Sequence, residues 1–172
     1  MTKQDFIWDV VVRITHWTTA ALFLSNYFLT KEGSPLHQWV GYTVIAVICI
    51  RLLWGLIARS PARLSAFKPS VPQALEHLKE VLVTKEDQHV GHNPAGAIMI
   101  WLMWLLILST AITGWLSETD WFWGEDWMIE IHKFFANATM GAVTIHICAI
   151  ILMSKLTQFA YVRTMLWRHK DQ

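Results

Sequence analysis

The chain of 172 residues is 54% hydrophobic, while Asp, Glu, Lys and Arg together make up only 16%, against the quarter or so usual for soluble domains. With a mean hydropathy of +0.35, this excludes an ordinary water-soluble globule and predicts an integral membrane protein. A formal net charge of +1 argues against nucleic acid as a partner, which would require a basic face.

Four apolar stretches approach or exceed the ~20 residues needed to cross a bilayer core: residues 10–29, 36–58, 94–116 and 127–153. The first is the most polar, being interrupted by Arg13, Ser25 and Asn26. It lacks a small-residue cleavage site and is therefore read as a retained helix, not a signal peptide. Residues 30–35 are too few for anything but an antiparallel hairpin into the second stretch. Gly41 follows His37 by one helical turn, which leaves room for a flat group or serves close helix packing.

The longest polar segment is 60–93. Within it Val71, Leu75, Leu78 and Leu82 recur at helical spacing opposite Glu76, Lys79 and Glu80, the pattern of an amphipathic helix lying at the membrane surface. His77 and His89 in this segment are expected to be solvated surface histidines. Pro94 then opens the third span with Asn93 in the capping position. The connection 117–126 is short and carries Trp121, Phe122 and Trp123 beside four carboxylates, an interfacial aromatic belt or a docking patch for a basic partner.

If the N-terminus is cytoplasmic, that side receives Lys3, Arg13, Arg51, Arg59, Arg63, Lys68, Lys79, Lys85, Lys155, Arg163, Arg168 and Lys170, leaving Lys31 and Lys133 outside. Twelve cations against two place both termini in the cytoplasm by the positive-inside rule. The expected architecture is all-α: an integral membrane four-helix bundle, one domain over 1–172, with one surface amphipathic helix. Cys49 and Cys148 stand alone in the second and fourth spans, and no C-x-x-C-H occurs, which excludes covalent c-type haem attachment. Both are read as small packing residues.

Four histidines lie in the apolar stretches, where a polar side chain is expensive and functional by default. His132 and His146 are fourteen residues apart, close to four turns, so they share a face with roughly 21 Å of rise between them. Topology sorts the four by depth: His37 with His132 near the outer surface, His16 with His146 near the inner one. A single such histidine commonly just bonds a neighbouring helix, but two pairs at two depths suggest two metal centres. Zinc would want four ligands at each level, whereas two axial nitrogens suit a six-coordinate haem iron. Arg51, fourteen residues after His37, comes to the inner level, where it neutralises a haem propionate or snorkels at the helix end. Arg13 has the same two readings.

VVRITHW in the first span, HQWVGY followed by RLLWG in the second, GHNPAGA before the third and H-x13-H in the fourth resemble the bacterial cytochrome b561 and nickel-iron hydrogenase b-type cytochrome family. The resemblance covers nearly the whole chain. It implies a four-helix di-haem cytochrome of the inner membrane that exchanges electrons with the quinone pool, with His16, His37, His132 and His146 as axial ligands. His92 matches the family's GHNPAGA motif, without a role that the residues disclose. Two haem b groups, quinone as substrate and a periplasmic cytochrome or hydrogenase-type partner follow as expectations. The alternatives are a superoxide oxidase that reduces quinone, with Lys133 as the outer cation, and a membrane anchor without redox chemistry.

Overall fold

The computed structural model describes residues 6–89 and 91–166, so Lys3, Arg168 and Lys170 of the charge count lie outside the described residues. Among these residues the regular structure is helical, with no strand: α1 Val10–Phe28, α2 Pro35–Ile57, α3 Val71–Thr84, α4 Pro94–Ser117 and α5 Asp126–Thr157, plus 3-10 turns at Leu64–Ala66 and Tyr161–Met165.

The helix starts are written in the sequence. Asp9 caps α1 by accepting from the Val12 amide at 2.9 Å, and Ser34 and Asn93 do the same for His37 at 3.3 Å and Gly96 at 2.7 Å. Pro35 and Pro94 occupy first helical positions, where the missing N–H costs nothing. α3 and α5 end on Lys85 and Gln158 in the left-handed region, at φ 57° and 54°, which closes the last turn. α5 runs one turn past the span read from hydropathy, because Ser154 and Lys155 sit where polar side chains reach water and a cation suits the helix C-terminus.

Two hairpins, α1 with α2 and α4 with α5, are joined by packing of α2 on α4, and α3 lies across α4 and touches α5. Val44 and Ile48 of α2 meet Ile107 of α4 at the seam, flanked by Leu22, Leu52, Trp104 and Leu108. A second cluster of Phe6, Trp8, Val12, Ala58 and Ala62 closes the inner end, where the backbone of Trp8 donates to Thr164 at 3.1 Å. Most other large apolar side chains of the long helices face outward, as lipid-facing helices require. α2, α4 and α5 are long and apolar enough to cross a membrane. α1, at 19 residues, is the more polar one.

Two expectations are corrected. His77 is not a solvated histidine: it is 3% exposed, packed on the face of α3 that also turns Ala74 and Val81 inward. The stripe Val71, Leu75, Leu78 and Leu82 is the exposed one. His89 is half exposed but held 3.0 Å from Asp87. Cys49 and Cys148 do not pack inside either, since both sit on exposed helix faces.

Candidate functional site

The gap between α5 and the α1/α2 hairpin contains the four membrane histidines. Their spacing along each helix decides who meets whom. His37 in the first turn of α2 faces His132 in the second turn of α5, with ring centroids 6.0 Å apart and planes at 83°. His16 of α1 faces His146 of α5 at 6.3 Å and 61°. Because α5 is one unbroken helix from Asp126 to Thr157, the two pairs are separated along it by roughly 21 Å of rise.

Neighbouring groups set which nitrogen each outer imidazole presents. Thr30 Oγ1 lies 2.8 Å from both the carbonyl oxygen and Oδ1 of Asn26 and 3.0 Å from His37 Nδ1, so it holds the His37 ring by that nitrogen. His132 Nδ1 lies 2.9 Å from the Thr110 carbonyl, which can only accept. The His132 ring therefore carries its proton on Nδ1 and keeps the Nε2 lone pair. An N–H anchored on a carbonyl or hydroxyl is how ligating histidines are oriented. Gly114 makes the second bond possible: a Cβ there would stand 2.8 Å from His132 Cε1.

At the inner level Arg51 is 6% exposed, so it does not snorkel. Its Nη2 donates to the Ala62 carbonyl at 3.2 Å, its Cζ lies 5.3 Å from the centre of the Trp104 ring, and its buried Nη1 has no hydrogen-bond partner. Arg13 is also buried and donates through Nη1 to the Leu166 carbonyl at 3.1 Å. His92 stacks on Trp8 at 4.2 Å and meets Phe67 edge-on at 4.5 Å. Burial first, then the neighbouring Arg51 cation and coupling to His16, pushes its pKa down to about 3, which keeps the ring neutral. Asn93 beside it both caps α4 and donates to Asp87 at 3.0 Å.

These residues fit a bis-histidine metal group on three counts. Two imidazoles bound to one ion at about 2.0–2.1 Å place their centroids about 6.3 Å apart, the separation seen at both levels. Gly41, one turn after His37 on α2, has nothing within 4 Å of where a Cβ would be. The inner pair has beside it an unpaired, buried cationic N–H. Thr30, Thr110, Gly114 and Trp104 are parts of the site that sequence reasoning missed. Thr110 and Gly114, one turn apart on α4, carried the available signal: a small residue and a backbone acceptor on one face.

The family model of prokaryotic cytochrome b561 matches residues 7–168. A probable Ni/Fe-hydrogenase B-type cytochrome subunit of Rhizobium leguminosarum bv. viciae is 27% identical over 175 residues, covering 84% of this chain and 72% of the relative. No solved structure matches. With a match spanning nearly all of its length, the chain belongs to the prokaryotic cytochrome b561 family of membrane-bound b-type cytochromes.

Proposed function

We propose that the protein carries electrons across the bacterial inner membrane between the quinone pool and a periplasmic redox partner, through two non-covalently held haem b groups. His16 with His146 and His37 with His132 would hold the two irons. The observation that carries this reading is the pair of cross-helix imidazole couples at 6.3 and 6.0 Å. When bound, each haem supplies a one-electron iron couple whose potential is set by its ligands and its burial.

The chain's own part is to hold and tune. Thr30 and the Thr110 carbonyl hold the outer imidazoles by Nδ1. With both imidazoles of a level bound, a haem iron would keep no position for a substrate, so each centre would serve electron transfer alone. Arg51 Nη1, assisted by Arg13, would neutralise inner propionates by charge-assisted bonds. The four long helices form the membrane bundle as one domain, α1 included, with both termini cytoplasmic by the Lys and Arg distribution.

The outer connection fits a protein partner. Trp121 and Trp123 are 86% and 71% exposed, among Glu118, Asp120, Glu125 and Asp126. Lys133, the cation that would draw superoxide, lies 3.3 Å from Glu130, which favours a basic redox protein over a small anion. The relative named as a hydrogenase cytochrome subunit supports a protein partner. In a stopped-flow spectrometer a short-chain quinol should reduce the haem alpha band, and a basic soluble cytochrome should then reoxidise it at a rate that falls with salt. No reduction by any quinol, with no reduction of quinone by the dithionite-reduced protein, contradicts the quinone link.

A further inference from the structure

The loop between α3 and α4 holds a second histidine cluster, which electron transfer leaves unused. One donor atom from each of His77, Asp87 and His89 lies within 4.8 Å of the others. The two rings meet edge to face with centroids 4.8 Å apart. His77 is buried in the α3 face, and the Asp87 side chain is 1% exposed. Together with Glu80, Glu86 and Gln88 these three residues line an open cavity of about 250 Å³.

We propose that this cluster is a binding site for a divalent transition-metal ion of the zinc class. The donor set decides the class: two imidazoles with carboxylates suit zinc and its neighbours, whereas calcium and magnesium seek oxygen alone. The spacing agrees. Donors at about 2.0–2.1 Å from a tetrahedral ion are about 3.3 Å apart, and His89 Nδ1 already lies 3.0 Å from Asp87 Oδ1. An ion takes the place of the hydrogen these two share, and the separations to the third donor, His77, now up to 4.8 Å, close by up to about 1.5 Å. His89 can supply that movement, since its side chain is 43% exposed. Glu80, three residues after His77 on α3, is placed to complete the shell.

The carboxylate at the centre is held from outside the cluster. Asp87 Oδ2 accepts from the Tyr161 hydroxyl at 2.6 Å and from Asn93 Nδ2 at 3.0 Å, the outer-shell support that fixes ligating carboxylates. Burial and the bond to Asp87 push the Tyr161 hydroxyl well above the usual phenol range, so it remains a donor. Through Asn93, the cap of α4, and Tyr161, in the 3-10 turn after α5, an ion here ties the α3–α4 loop to both helices of the second hairpin.

The test uses untagged, haem-loaded protein in detergent, titrated with Zn²⁺ against a chromophoric zinc indicator while haem content is followed by pyridine haemochrome. About one tight ion per chain is expected, together with a zinc-dependent rise in the thermal unfolding midpoint. His89→Ala, at a half-exposed position, should weaken binding about tenfold or more and abolish that rise. Tyr161→Phe should weaken it about tenfold, the scale of outer-shell changes. Haem content should stay at its wild-type value in both. Absence of tight zinc binding by the wild type, or undiminished binding by His89→Ala, overturns the site and leaves the haem assignment untouched.

Discussion

At the scale of single residues, the outer centre depends on an atom that is missing. Gly114 gives His132 its place, since a Cβ would come within 2.8 Å of the ring, a distance real contacts do not tolerate. Gly114→Ala should displace the imidazole and lower the haem content from about two per chain toward one, read by pyridine haemochrome; two fully retained haems would remove Gly114 from the site. Arg51 should act on the inner centre alone. A buried cation stabilises the more electron-rich reduced state, so Arg51→Leu should lower one midpoint by an order of tens of millivolts at an effective dielectric near ~20. A redox titration with both midpoints unmoved would reduce Arg51 to its contacts with Ala62 and Trp104. The four histidines stood out in the sequence because imidazole is costly in an apolar stretch, and the structure brings them together as two pairs. Thr110, Gly114 and Trp104 were not, because their importance depends on which helix faces α5. His77 was misread although Ala74 and Val81, three before and four after it, marked the inward face of α3.

At the scale of elements, the helix starts were the most readable part. Asn93-Pro94 announced α4, and the chemistry is local: a side-chain acceptor followed by a residue without a donor. The first span was harder, because Arg13, His16, Ser25 and Asn26 make α1 polar and its stability tertiary. Asp9 illustrates this. It caps α1 through Oδ1, while Oδ2 accepts from Trp54 Nε1 at 3.3 Å and from Ser60 Oγ at 3.1 Å, tying the start of α1 to the end of α2. Asp9→Ala should cost about 1–3 kcal/mol, the sum of a lost cap and two side-chain bonds. The thermal midpoint should fall while haem spectra persist, since the axial pairs lie elsewhere on these helices. A variant as stable as the wild type would show that α1 is held by packing alone.

At the scale of the whole molecule, the architecture is two hairpins seamed along α2 and α4, with α5 facing the α1/α2 hairpin across the gap that holds the imidazoles. Alternation of spans predicted the pairing, because depth follows from counting crossings. The width of the gap was not readable: it is set by side chains such as Val44, Ile48 and Ile107 that hold α2 and α4 together. The central claim, that this gap holds two separable haems, is tested most directly by haem content and redox titration of the wild type beside His16→Ala, His146→Ala, His37→Ala and His132→Ala. About two acid-extractable haems in the wild type are expected. The first two variants should lose one component, and the last two the other. One haem in the wild type, or the same lost component for His16→Ala and His132→Ala, would contradict it.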